Sequence, residues 1–140
     1  MNATRAFVAG IVATTLMSLI MVLLRALGVP LHIETRMAQL FGAKAWAVGF
    51  AVYALCGGVL ALAYAAFFEW VLNQAGVGPG VLLGAVNTIA AGFVWAALTG
   101  PGKFWINVGP AGVAALFLVH FVYGGIVGGL YRTRHTLTYS

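Results

Sequence analysis

The sequence has very little charge. Only 6% of its 140 residues are charged, and two acidic residues, Glu34 and Glu69, stand against seven Lys and Arg. Soluble domains carry about 25% charged residues, so this chain cannot build an ordinary water-soluble surface. Its net charge of +5 is not concentrated in a basic cluster with interleaved aromatic residues. A nucleic-acid interface is therefore not expected.

Residues that carry chemistry are equally scarce. The single cysteine, Cys56, has no partner for an internal disulfide and lies in an apolar run, which favours a packing role. The sequence contains no Ser-His-Asp arrangement, phosphate-binding loop, paired carboxylates or Cys-His metal spacing. It therefore predicts a non-enzymatic protein with no catalytic residues and no dedicated metal site.

Apolar residues make up most of the chain. They account for 63% of the residues, with a mean hydropathy of +1.04. Four apolar runs cover about residues 5–27, 45–70, 80–98 and 111–131. At roughly 1.5 Å of rise per residue, each run can cross a hydrocarbon core of about 30 Å. The sequence predicts an all-α integral membrane protein, an antiparallel four-transmembrane-helix bundle forming a single domain over residues 1–140.

A short amphipathic segment separates the first two runs. Over about residues 31–41, between Pro30 and Gly42, one helical face is apolar and the others are polar. The apolar face consists of Ile33, Met37, Leu40 and Phe41. We expect a short helix in the membrane interface, with Glu34 and Arg36 on a solvated face.

The basic residues beside the apolar runs indicate the orientation of the chain in the membrane. Four crossings place both termini on one side, where Arg5, Arg132 and Arg134 also lie. The opposite side carries Arg25, Arg36, Lys44 and Lys103. The two arginines that follow the last run favour termini in the cytoplasm. Glu69, at the end of the second run, is expected to reach water or to pair with Arg5 or Arg132.

The first two runs resemble the last two. Aligning the second run with the fourth places Tyr53 on His120, Gly57 on Gly124 and Tyr64 on Tyr131. Aligning the first with the third places Gly10 on Gly84 and Thr14 on Thr88. This pattern predicts a 2+2 parallel repeat, two hairpins related by an axis along the membrane normal.

Every run carries a stripe of mostly small residues at a spacing of four. Small residues allow close helix contact in lipid. The predicted packing residues are Gly10, Gly57, Gly84, Gly124 and Gly128. We expect the four stripes to meet along one bundle axis.

Polar residues on or beside these stripes form a candidate site near mid-membrane. Its members are His120, Tyr53, Asn87, Thr14 and Thr88. They could form a proton or ligand site in a small transporter or channel, or satisfy one another and fix helix register. His120 could also be the axial ligand of a haem or chlorin, with Gly124 giving room for the macrocycle. The other histidines, His32 and His135, are expected near the interface.

Three features together suggest a known group of proteins. Gly10-x-x-x-Thr14, the Pro30 loop and His120-x-x-x-Gly124 resemble small four-helix bacterial inner-membrane proteins known only as domains of unknown function. The resemblance implies a bacterial inner-membrane location. Such proteins often place a histidine in the second helix, where this chain has Tyr53.

Three functions are compatible with the sequence. The first is an accessory or structural subunit that packs in a larger membrane complex or a homo-oligomer. The alternatives are the small transporter or channel and the haem- or chlorin-binding subunit. The expected partners are the lipid bilayer and other membrane subunits or further copies of the chain, and the sequence requires no cofactor.

Overall fold

A computed structural model shows an all-helical chain. It describes residues 1–29, 32–99 and 109–131, leaving aside the side chains of 94–99. The five α-helices are α1 (Ala3–Ala26), α2 (Ile33–Leu40), α3 (Trp46–Phe67), α4 (Val77–Thr99) and α5 (Gly109–Tyr131). A π-helical turn, Phe68–Leu72, continues α3. These described ranges contain no strand, which confirms the all-helical prediction. Pro30, Lys103, Arg132, Arg134 and His135 lie outside the described residues.

Three helical segments are long and apolar enough to cross a membrane. They are α1 with 24 residues, α3 with its π-helical turn with 27, and α5 with 23. Helix α4 has 23 residues, and its described part, Val77–Phe93, is apolar. The three segments indicate a membrane protein, and crossing by α4 stays a prediction.

Local sequence accounts for several helix ends. The Asn2 side chain accepts a hydrogen bond of 2.9 Å from the Arg5 backbone N–H and caps α1. At the other end, Gly28 has a φ of 89° and donates to the carbonyl of Arg25. This left-handed geometry favours glycine and satisfies a terminal carbonyl. The π-helical turn ends at Asn73, which has a φ of 51°.

The main contacts between the long helices are α1 with α3, α1 with α5 and α4 with α5. Helix α1 packs against α3 and α5, whereas the described packing of α4 is almost entirely against α5. A Cβ atom at Gly10 would overlap the carbonyl oxygen of Gly57, and one at Gly84 would overlap that of His120. The expectation that all four stripes meet on one axis is therefore wrong. Each stripe is already in backbone contact with one neighbour, α1 with α3 and α4 with α5.

Helix α5 has two buried faces. One contains Gly112, Leu116, His120, Gly124 and Gly128, and its glycines 124 and 128 contact α4. The other contains Ala115, Val119, Tyr123, Val127 and Tyr131 and joins the apolar core with α1 and α3. The sequence indicated only the first face.

Helix α2 lies across α3 with its acidic side inward. Glu34 and Ala38 are buried against Gly49, whereas Leu40 is 51% and Phe41 67% exposed. The prediction of a solvated Glu34 is wrong, because Arg25 at the end of α1 supplies a counter-charge inside the fold. The exposed apolar flank of α2 is left for lipid.

Candidate functional site: polar groups between the helices

The two predicted threonines form equivalent hydrogen bonds within their own helices. Thr14 Oγ1 donates to the Gly10 carbonyl at 2.9 Å, and Thr88 Oγ1 donates to the Gly84 carbonyl at 3.0 Å. Both threonines are buried. Because each hydroxyl proton is used by a carbonyl one turn earlier, these groups need no partner across the helix interface.

His120 is oriented by its own helix. Its Nδ1 atom lies 2.7 Å from the Leu116 carbonyl oxygen. A carbonyl only accepts, so in the neutral imidazole Nδ1 carries the proton and Nε2 is the acceptor. The backbone of His120 lies against Gly84, which places this histidine at the interface between α4 and α5.

The remaining two residues of the predicted cluster are half-buried. The Tyr53 hydroxyl donates to Met17 Sδ at 3.3 Å, between α3 and α1. Asn87 lies on α4, next to the buried Thr88. The structure therefore places Thr14 and Tyr53 at the α1–α3 interface and Thr88 and His120 at the α4–α5 interface. No hydrogen bond joins the five residues to one another within the described part of the chain.

The predicted packing glycines all lie where a neighbouring backbone comes close. A Cβ atom at Gly57 would overlap the Thr14 hydroxyl, and one at Gly124 would overlap the Gly80 carbonyl. Gly128 is similarly close to the Gly76 carbonyl. The space beside Gly124 is therefore occupied by α4. A tetrapyrrole on that face of His120 would have to displace this helix.

A chain of aromatic contacts, which the sequence reasoning missed, links α3 to α5. Tyr123 donates a hydrogen bond of 2.5 Å to the Gly57 carbonyl and meets the Tyr64 ring edge-on at 5.7 Å. Tyr64 also meets Phe68 edge-on, and Phe68 stacks on Tyr131 at 6.2 Å. The spacing of four between Tyr64 and Phe68, and of eight between Tyr123 and Tyr131, could have indicated this second face of α5.

Polar groups also gather where the chain starts and α5 ends. Glu69 forms an ion pair of 2.7 Å with the Met1 amine and accepts a hydrogen bond from the Tyr131 hydroxyl. The Arg5 guanidinium donates to the Leu130 carbonyl at 2.8 Å. Among the described residues, Glu69 thus contacts Met1 and Tyr131, while the expected partner Arg5 is engaged by the backbone of α5. Arg132 lies outside the described residues, so its pairing with Glu69 stays a prediction.

A buried ion pair lies at the other end of α1. Arg25 Nη1 is 2.9 Å from Glu34 Oε2, and the Glu34 side chain is fully buried. The second carboxylate oxygen, Oε1, has no hydrogen-bond partner among the described residues. Ser18 Oγ and the Tyr64 hydroxyl are also buried with no hydrogen-bond partner among the described residues. Such buried unpartnered groups carry a free-energy cost unless water or another ligand satisfies them.

A comparison with protein families identifies the family of this chain. A model of a family of unknown function, DUF6789, matches residues 1–138. The chain belongs to DUF6789. Its resemblance to an uncharacterised group is thereby confirmed, and membership in DUF6789 carries no activity with it. No curated protein and no solved structure was found to match the chain.

Proposed function

We propose that this DUF6789 chain is a non-enzymatic subunit of the membrane, with four spanning helices, that packs in a larger complex or a homo-oligomer. The proposal rests on the hydrogen-bond partners of the polar groups that lie between its helices. Thr14, Thr88 and His120 bond to carbonyls of their own helices. Groups that are satisfied within their own helices are not needed for a ligand, and the outer surfaces of the helices are left for association.

The outer surface of α4 supports this role. Leu82, Val86, Ile89 and Phe93 are between 49% and 66% exposed. Their spacing of four, three and four residues places them on one helical stripe. Since α5 covers the opposite side of α4, the exposed Leu82, Val86 and Ile89 of this stripe can face lipid or a neighbouring subunit.

The matching interactions of α1 and α4 support a duplicated hairpin. Thr14 bonds to Gly10 as Thr88 bonds to Gly84, at nearly the same distance. Tyr64 and Tyr131, which the repeat also pairs, are both buried. We propose on this basis that α1 with α3 and α4 with α5 form the two halves of a 2+2 repeat.

The topology proposal places both termini on the cytoplasmic side of a bacterial inner membrane. It is supported by the shared contact of Met1 and Tyr131 with Glu69, which places the start of α1 beside the end of α5. Reporter fusions at the two termini test it. Activity of a cytoplasmic reporter at both ends is expected, and a periplasmic signal from either end would contradict it.

Purification from the native membrane tests the subunit role. The chain would be extracted in a mild detergent, and its bound proteins identified by mass spectrometry while light scattering gives the particle mass. We expect stoichiometric partner proteins or a defined homo-oligomer, and the same assembly from His120→Gln. A lone monomer would contradict the proposal, and an absorption band above 400 nm that His120→Gln abolishes would favour the tetrapyrrole alternative.

Transport is a second candidate, supported by the buried oxygens of Ser18, Glu34 and Tyr64 that have no hydrogen-bond partner in the described part of the chain. Buried groups of this kind can mark positions where a water or an ion belongs. Proteoliposomes with an internal pH dye would test proton movement by the wild type and by Ser18→Ala, Glu34→Gln and Tyr64→Phe. A flux lost in these variants, with the helical circular dichroism kept, would favour transport. No flux above that of protein-free vesicles would count against proton transport.

A further inference from the structure

Helix α2 and the start of α3 form an outward surface at the end of the molecule away from Met1. We call it the α2 surface; its exposed residues are Arg36, Leu40, Phe41, Lys44 and Trp46. Phe41 is 67%, Leu40 51% and Trp46 50% exposed. Leu40, Phe41 and Trp46 form the exposed apolar flank of this surface, whereas Ile33 and Met37 are half-buried and Ile33 packs against the apolar core.

The charge on this surface is entirely positive. Glu34, the one acidic residue of α2, faces inward and pairs with Arg25. Arg36 and Lys44 are both exposed. Within the described ranges, no ion pair compensates either of them. The burial of Glu34 thus turns a nearly neutral segment into a cationic surface.

Aromatic residues place the same surface at the level of lipid headgroups. The Trp46 ring stacks on Phe50, with centroids 5.3 Å apart and planes inclined by 9°. Tryptophan favours the membrane–water interface because its ring is amphipathic. An exposed apolar flank beside basic residues is the pattern of helices that lie on anionic lipid surfaces.

We propose that the α2 surface binds anionic phospholipids. Arg36 and Lys44 attract the phosphate-bearing headgroups, while Leu40 and Phe41 enter the upper part of the acyl chains. The charge of the surface and its apolar flank both match such a lipid, whereas a zwitterionic lipid offers no net attraction to the two cations. This inference goes beyond the subunit role and does not depend on any partner protein.

Lipid competition on the full-length chain tests the proposal. Native mass spectrometry would measure the ratio of bound phosphatidylglycerol to phosphatidylcholine after equilibration with an equimolar mixture. Each charge near an anionic surface contributes roughly a fivefold preference, so Arg36→Gln with Lys44→Gln should lower the ratio about 25-fold. The matched control is Arg36→Lys with Lys44→Arg, which changes the same two positions and keeps both charges. Equal loss in the control, or no preference in the wild type, would overturn the proposal.

A fluorescence measurement locates the bound lipid independently. Trp46 would be the one remaining indole after Trp70→Phe, Trp95→Phe and Trp105→Phe, with circular dichroism showing that the helices are kept. We expect brominated phosphatidylglycerol to quench Trp46 more than brominated phosphatidylcholine does, and soluble glycerol phosphate to leave this difference unchanged. Equal quenching by both lipids, or displacement by glycerol phosphate, would contradict binding of an anionic lipid surface.

Discussion

Arg25 and Glu34 form an ion pair whose two partners differ in burial. The atoms Nη1 and Oε2 are 2.9 Å apart, and 19% of the Arg25 side chain is exposed against none of Glu34. Removing Arg25 leaves the buried Glu34 carboxylate without this cation, whereas removing Glu34 leaves a guanidinium that is already partly exposed. Only Arg25 can then reach solvent, so the two single substitutions should have unequal effects.

We predict that Arg25→Met destabilises the fold more than Glu34→Gln. Arg25→Met leaves a buried carboxylate without its cation, at a cost of about 3–5 kcal/mol. Glu34→Gln leaves a guanidinium that can turn toward water, at a cost of about 1–2 kcal/mol. Unfolding in mixed SDS and mild detergent micelles, followed by circular dichroism, measures both.

The double variant Arg25→Met with Glu34→Met is the control. A buried ion pair replaced by apolar residues of similar volume is often as stable as the original, so we expect most of the loss to be recovered. Equal destabilisation by the two single variants would show that the burial of Glu34 does not determine the free-energy cost of breaking the ion pair.

Two glycines of α4 provide a second, matched prediction. A Cβ atom at Gly84 would overlap the His120 carbonyl, whereas one at Gly78 would have no atom within 4 Å. Gly84→Ala must therefore push α4 away from α5, at a cost of about 1–3 kcal/mol. Gly78→Ala should cost less than Gly84→Ala, because its Cβ meets no neighbouring helix and only the adjacent Pro79 disfavours the helical conformation there. Unfolding of the two variants in parallel measures the difference, and equal stability would contradict the close packing of α4 on α5.

The helices could be predicted from the sequence because long apolar runs determine them. The predicted runs lie within three residues of the observed helix ends, with the π-helical turn included in the third helix. Burial of Glu34 could not be predicted in the same way. Its counter-charge, Arg25, lies on another helix, and the two side chains meet only in the folded chain.

Which helices pack against each other could not be predicted from the sequence either. A small-residue stripe such as Gly80, Gly84 and Thr88 on α4 shows that a helix can be approached closely, and it does not identify the neighbour. The expected meeting of His120 with Tyr53 depended on all stripes sharing one axis. The structure places His120 against Gly84 on α4 and Tyr53 against Met17 on α1, so the proposed cluster is divided between two interfaces.

A third prediction concerns the attachment of α2. A Cβ atom at Gly49 would overlap the backbone carbonyl of Glu34. Gly49→Leu should therefore release α2 from α3 while the long helices stay folded, and amide exchange over 33–40 should rise by about tenfold or more. Ala51→Leu, an exposed position on the same helix, should leave this exchange unchanged. Unaltered protection of α2 in Gly49→Leu would show that this contact does not hold it.

The last prediction compares the two tyrosines whose rings meet between α3 and α5. The Tyr123 hydroxyl donates to the Gly57 carbonyl, whereas the Tyr64 hydroxyl is buried without a hydrogen-bond partner among the described residues. Tyr123→Phe removes an interhelical hydrogen bond and should cost about 0.5–1.5 kcal/mol. Tyr64→Phe removes a buried group that contributes no bond, so it should leave stability unchanged or raise it. Both variants keep their rings, and therefore the difference between their unfolding free energies isolates the hydroxyl groups. If Tyr64→Phe proved the more destabilising of the two, the Tyr64 hydroxyl would have to be satisfied by a water molecule or a ligand, and the interface between α3 and α5 would be a binding site and not only a packing contact.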